Sequence, residues 1–283
     1  MANMNNSDIG AKIGERSTNL PWYQVTIPST KLDGAIRELL EDYAGVPPSE
    51  VEPHVQNIRN RAWSIFPYPC IGDFQFLDIV ITSFPYYPKL LSRLASPGTK
   101  FLDLGCCFGQ IIRRLVYDGA LPENLYGCDL RTEFFELGYD LFKDKDNLKS
   151  TLFKADIFDE DNVDMKRLEG DIDVIYAGSF LHMYGWDDQV KICKILARAM
   201  KKEGSVLMGR QGGGKVAKEV TFPLHEENKM FVHNAESFQK MWDEATEMTG
   251  TKWKVECEEV QLRSDDWKGA EGMVWIQFII FRE

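Results

Sequence analysis

Between residues 97 and 209 the chain alternates five short apolar runs with longer segments whose apolar residues recur at helical spacing, and this rhythm restricts the fold more than any other feature. The runs are Lys100–Leu104 (KFLDL), Leu125–Leu130 (LYGCDL), Thr151–Ala155, Ile172–Ala177 (IDVIYA) and Ser205–Gly209 (SVLMG). Helical patterns cover Ile111–Tyr117, Thr132–Lys143 and Asp187–Met200, the last with Val190, Cys193, Leu196 and Met200 on one side. Parallel neighbours need a long crossover, which a helix supplies, and strands buried on both faces read as continuous apolar runs. The expected class is therefore α/β, a doubly wound and mostly parallel sheet. Past a helix at Ala235–Met248, Lys252–Val260 and Met273–Arg282 are separated only by a polar loop. They should pair as a C-terminal antiparallel hairpin and bring the sheet to seven strands.

Upstream of residue 97 the pattern is helical. Leu32, Ile36, Leu39, Leu40 and Tyr43 share a face over Lys31–Tyr43, with Ser29 or Thr30 as cap and Gly45 as terminator. Val51, Val55, Ile58 and Ala62 predict a second helix ending near Trp63, stopped by Pro67 and Pro69. The segments FPYPCIG (66–72) and FPYYP (84–88) interleave rings with prolines, which suits a stiff aromatic wall or lid and equally suits packing of the helices onto the main body. The expected division is an N-terminal helical cap over 1–96 and a ligand-binding domain over 97–283.

With 33 Lys and Arg against 44 Asp and Glu, the net charge of -11 repels polyanions, so nucleic acid is not an expected partner. The apolar stretch Met273–Phe281 is far shorter than the roughly 20 residues of a membrane helix. The N-terminus lacks the apolar core of a secretory signal. Six cysteines show no paired metal spacing, which predicts reduced thiols, no metal and a cytoplasmic protein. A small-molecule substrate is expected, with a homodimer left open.

In doubly wound sheets the ligand sits beyond the carboxyl ends of the strands, and the first strand-to-helix turn is the place to look. That turn is FLDLGCCFGQ, residues 101–110. Gly105 and Gly109 bracket a tight loop, but a dinucleotide fingerprint would need glycine where Cys107 and Gln110 stand, which counts against NAD. A carboxylate before the first glycine, Asp103, suits a ligand carrying an ammonium group. Asp129 at the second strand end can accept both hydroxyls of a ribose, and Asp156 at the third can accept from an adenine amino group with Ile157 against the ring. No single feature carries the reading; the joint order of three acids at successive strand ends does.

On LDLGCCFG (102–109), GCDL (127–130), ADIF (155–158) and DVIYAGSFLHMYGW (173–186), with the terminal hairpin, the chain resembles the class I S-adenosylmethionine-dependent methyltransferases over residues 97–283. The resemblance implies a Rossmann-like sheet and S-adenosyl-L-methionine as cofactor, held by Asp103, Gly105, Cys107, Gly109, Gln110, Asp129, Leu130, Asp156, Ile157 and Ser179. The chain departs from the family's usual glycine-rich motif with Cys107 at the middle glycine, which adds bulk but keeps the backbone donor. LDLGCCFGQ together with DGALPENLYGCDL, LGYDLF (137–142), GRQGG (209–213) and FPYPCIG is similar to small fungal methyltransferases of meroterpenoid and polyketide metabolism, some of which methylate a carboxyl group.

For the acceptor side, His182 lies just past the fourth strand and is the candidate to orient or deprotonate an acceptor, or else bonds the cofactor end or a loop. Arg210, past the fifth strand, would clamp a substrate carboxylate, or else pairs with an acid. Tyr176, Gln110 and Ser179 are candidates to contact the cofactor's methionine end, with capping of the following turn as the alternative for Ser179. Trp22, Tyr23, Trp63 and Phe66 are expected to close over both ligands. His225 and His233 are candidates for the acceptor pocket, with a solvated loop histidine as the alternative. The leading expectation is an O-methyltransferase forming a methyl ester on an apolar natural product. Hydroxyl or phenol methylation, and a binding module or cyclase that uses the cofactor without chemistry, stand as alternatives.

Overall fold

The structure is a computed structural model that describes residues 16–20, 22–222, 225–262 and 272–283. Its strands are β1 (Phe101–Leu104), β2 (Leu125–Asp129), β3 (Thr151–Lys154), β4 (Val174–Tyr176), β5 (Val206–Gly214), β6 (Lys218–Phe222), β7 (His225–Val232), β8 (Trp253–Val260) and β9 (Met273–Arg282). Seven form one sheet in the order β3-β2-β1-β4-β5-β9-β8. The first five run parallel, and β9 and β8 are antiparallel additions at the edge. The Rossmann-like expectation holds, and the hairpin closes the sheet as its pattern predicts.

Helices α1 (Ala35–Glu38), α2 (Val51–Ile65), α3 (Pro69–Gly72) and α4 (Tyr87–Leu94) precede the sheet. Next come α5 (Gln110–Tyr117), α6 (Glu133–Phe142), α7 (Val163–Arg167), α8 (Trp186–Ala199) and α9 (Ala235–Thr249). Side chains alternate between the two faces of a strand. Phe101, Val174, Tyr176 and Met208 enter a cluster with Leu39, Val55 and Phe74 of the cap and with Ile112 and Leu141. Leu102, Ile175 and Leu207 point the other way, onto Cys193 and Leu196 of α8 and Phe238 and Met241 of α9. The cap, α5 and α6 thus share one hydrophobic layer over one face.

Three local expectations need correction. The predicted helix over Lys31–Tyr43 is split: a 3-10 turn covers Ser29–Leu32, Gly34 at φ +63 reverses the chain, and α1 then widens into a π turn over Leu39–Tyr43. Lys31 is consequently turned inward, and its ammonium meets Asp78 at 2.6 Å with both side chains buried. The fifth strand runs on from Gly209 to Gly214, because β9 pairs along its whole length and a Cβ at Gly213 would come within 2.4 Å of Ile276 and 2.7 Å of the His233 carbonyl. The connection after it is not irregular: β6 and β7 form an antiparallel two-stranded sheet. The six cysteines are free thiols.

Arg59 of α2 pins the start of the cap. It is fully buried, donates to the carbonyls of Gln24 (2.7 Å) and Gly72 (3.3 Å), and its guanidinium lies 4.3 Å from the Tyr23 ring and 4.4 Å from the Phe74 ring. Removing a buried donor leaves its acceptors desolvated and unpaired. Arg59→Met should therefore lower the unfolding free energy by about 2–4 kcal/mol, measured by urea denaturation.

Candidate active site

The order of strands reverses between β1 and β4, and in doubly wound sheets the ligand sits beyond the carboxyl ends of the strands at that point. Asp103 in β1 stands beside Gly127 of β2 and Tyr176 of β4. Asp129 closes β2, and Asp156 follows two residues after β3, so the three acids lie at one end of three adjacent parallel strands. The intervening loop is held in left-handed backbone at Gly105 (φ +74), Cys107 (φ +50) and Gly109 (φ +65). At Gly105 a Cβ would reach 2.8 Å from the Phe180 ring, so only glycine fits. Cys107 carries a Cβ into that backbone region at a cost of about 1–2 kcal/mol. Its amide is retained as a donor, at 2.9 Å from Asp129 Oδ2. The Arg131 amide donates to Asp129 Oδ1 at 3.0 Å, and the Phe158 amide to Asp156 Oδ1 at 3.0 Å.

Burial pushes the Asp103 carboxyl up to about 8, helped by the nearby charge of Asp129. Its Oδ2 has no hydrogen-bond partner among the described residues, and neither has the buried Oε1 of Gln110, the first residue of α5. Asp129 is also raised by burial, while the amides of Arg131 and Cys107 oppose that shift. Burial likewise raises the Tyr176 phenol, which feels Asp103, Arg210 and Asp78 together. Asp103 of the rim, Arg210 of β5 and Asp78 of the cap are therefore electrostatic neighbours.

Past β4, Ser179 sits at φ +52 and its amide donates 2.7 Å to the Arg210 carbonyl. The His182 amide donates 3.2 Å to Gln211 Oε1, and burial lowers the His182 imidazole to about 4, so it is neutral at neutral pH. Its Nδ1 has no partner among the described residues. The Arg210 guanidinium lies 4.5 Å from the Trp275 ring and 4.0 Å from Asp78. A cavity of about 220 Å³ opens there between cap and sheet, lined by Lys31, Ile36, Asp78, Val80, Ser83 and Arg210 among others.

The structure brings Asp103, Asp129, Asp156, Gln110 and the 105–109 loop together, with Leu130 and the buried Ile157 flanking them. Trp63 and His233 are taken up by the core, whereas Phe66 packs beside the rim. Trp63 is 4% exposed and is spent inside the cap, against Tyr23 at 4.9 Å. His233 is fully buried; its Nδ1 meets Ser237 Oγ at 2.9 Å and rings of Trp186, Phe231 and Phe238 surround it. His225 begins β7, and its side chain lies outside the described residues. Phe66 is buried under the Arg131 guanidinium at 4.3 Å and beside Tyr68 at 4.1 Å.

Tyr68 was not singled out by the sequence, yet burial raises its phenol beside Asp129 and Arg131. Tyr184 is raised by burial beside Asp156, Tyr68 and Asp129, and its ring meets Phe158 at 5.4 Å and Phe180 at 5.5 Å. The aromatic–proline segment thus delivers Tyr68 to the rim; its prolines were the signal, but not which ring would arrive. Among the described residues no cluster of three metal-ligating side chains occurs, and no helix is long and apolar enough to cross a membrane.

A buried carboxylate oxygen and a buried amide oxygen without partners, at the mouth of a loop whose amides are already ordered, fit a ligand that brings an ammonium group and a ribose. Residues 101–204 match the family model of a methyltransferase domain, and with the rim this defines an S-adenosylmethionine-dependent methyltransferase. Residues 22–77 match the meroterpenoid methyltransferase N-terminal domain. The O-methyltransferase atr3 of Stereocaulon alpinum is 43% identical over 86% of this chain and 70% of that protein. The O-methyltransferase phiE of a fungal species is 41% identical over 86% of this chain and 81% of that protein. Among solved structures, the [4+2]-cyclase SpnF aligns with a TM-score of 0.50 at 15% identity, over 70% of this chain and 80% of that one, a likeness of fold alone. The chain belongs to the fungal secondary-metabolite methyltransferases that carry this N-terminal domain.

Proposed function

We propose that the protein transfers the methyl group of S-adenosylmethionine to an oxygen of a small, largely apolar natural product, and that this oxygen belongs to a carboxyl group. The observation that carries the carboxyl reading is Arg210, which pairs with Asp78 at 4.0 Å, stacks on Trp275 and lines the cavity beneath the cap, one electrostatic step from Tyr176 and Asp103. Two relatives bearing O-methyltransferase names support transfer to oxygen. On this reading Asp103 receives the cofactor's ammonium, Asp129 its ribose hydroxyls through lone pairs left over from the two amides, and Asp156 its adenine amino group. Ile157 and Leu130 pack on the base and sugar. Gln110, Ser179 and the amides of the 105–109 loop hold the methionine end.

The bound sulfonium supplies an already activated methyl group. The chain's residues therefore have to align, exclude water and fix the acceptor, and such positioning is worth about 7–11 kcal/mol of barrier. A carboxyl acceptor is ionised at neutral pH and needs no base. Arg210 would hold one of its oxygens while leaving the other in line with the methyl group. The neutral His182, with its unpartnered Nδ1, favours the second reading, a hydroxyl acceptor whose proton that nitrogen takes.

Incubation with labelled S-adenosylmethionine and a panel of acidic and phenolic polyketides and terpenoids should give base-labile methyl esters. Arg210→Ala should reduce ester formation at least 100-fold and His182→Ala less than 10-fold. The reverse ranking would install the hydroxyl reading. Cofactor binding without any mass gain in a substrate would mean that the cofactor only positions.

A further inference from the structure

The cofactor loop is braced from below by a buried network that has no part in the readings above. Arg113, in the first turns of α5, is fully buried and leans back along its helix. Its Nη1 donates to the carbonyls of Phe108 (2.5 Å) and Gly109 (3.3 Å), the last two loop residues. Its Nε and Nη2 form a fork on Asp144, at 2.7 and 2.8 Å. Asp144 Oδ2 also accepts from the phenol of Tyr43, at 2.8 Å, and Tyr43 belongs to the π turn of the cap. Phe108 is clamped edge-on between Phe76 of the cap, at 4.9 Å, and Phe134 of α6, at 5.7 Å.

A loop with left-handed backbone at three of five positions, one of them a cysteine, does not hold that shape unaided. On its upper side Asp129 takes the Cys107 amide, and on its lower side Arg113 takes the Phe108 and Gly109 carbonyls. We propose that Tyr43, Asp144 and Arg113 form a positioning relay through which the seated cap fixes the cofactor loop, so that cofactor affinity depends on a residue 60 or more positions upstream of the loop. The inference rests on the loop being the cofactor site. None of the three residues touches the ligands; each acts through the next.

Tyr43→Phe removes one hydroxyl and keeps the ring, and Arg113→Lys keeps the charge but loses the fork. Calorimetric titration of the full-length protein with S-adenosylhomocysteine should show Kd raised three- to tenfold in Tyr43→Phe and more than tenfold in Arg113→Lys. At saturating cofactor, kcat should stay within twofold of wild type, a split between KM and kcat that mere loss of stability would not produce. If Arg113→Lys fails to fold, Tyr43→Phe alone decides. A lowered melting temperature with Kd unchanged within twofold overturns the relay. Asp129→Ala separates the two levels: if it loses binding while Tyr43→Phe does not, the relay is wrong and the site stands, and if it binds normally, the loop is not the cofactor site.

Discussion

Asp129→Ala should raise the Kd for S-adenosylhomocysteine at least 100-fold, about 2.7 kcal/mol, and abolish methyl transfer at micromolar cofactor. Two losses add. On the proposed reading the carboxylate no longer meets the ribose, and the Cys107 amide, at 2.9 Å, loses the acceptor that stabilises its left-handed backbone. Charge-assisted hydrogen bonds of this kind contribute about 1.5–3 kcal/mol each. Asp129→Asn keeps one acceptor and should lose only part of the affinity. A Kd for Asp129→Ala within threefold of wild type would remove the rim from consideration as the cofactor site.

The second large effect is a pH dependence set by Asp103. Its carboxyl, pushed up to about 8 by burial and by Asp129, holds a proton at neutral pH when no ligand is bound. Tyr176 and Cys106 beside it are themselves raised and stay neutral, while Asp129, also raised by burial, is the charged group coupled to it. An ammonium ligand favours the ionised form. Binding should therefore release close to one proton, and affinity should rise about tenfold per pH unit from pH 5.5 to 7. Calorimetry in buffers of different ionisation enthalpy counts the proton. Asp103→Asn should bind weakly with a flat profile, and a wild-type profile equally flat would contradict the assignment. The sign for folding follows from the same shift: a carboxyl raised above its usual value of about 3.9 binds its proton better when folded, so its contribution makes the ligand-free protein less stable as pH rises towards 8.

The rim was legible because strand ends and loop glycines leave short-range marks: an apolar run stopped by an acid, then residues whose backbone a side chain would obstruct. Asp103, Asp129 and Asp156 each carry that mark, and the sheet's winding brings them to one end. What escaped was long-range or conformational. Lys31 opens the predicted helix over Lys31–Tyr43, but Gly34 breaks that helix and the ammonium pairs with a carboxylate 47 residues away. The segment 209–214, with four glycines, lies past the predicted end of the fifth strand, since glycine is rare in strands, and only the crowding at Gly213 by Ile276 and the His233 carbonyl shows why the strand needs a glycine there. Tyr68 and Tyr184 carry no local pattern that would send them to the same acids.

One hydrophobic layer runs without interruption from Leu39 and Val55 through Phe108 to Met208. The segment that matches the meroterpenoid methyltransferase N-terminal domain and the methyltransferase domain are therefore welded by common side chains. A recombinant that exchanges the first hundred residues alone should be less stable than either parent, because Phe76 on one side of the junction and Phe134 on the other pack on the same ring of Phe108.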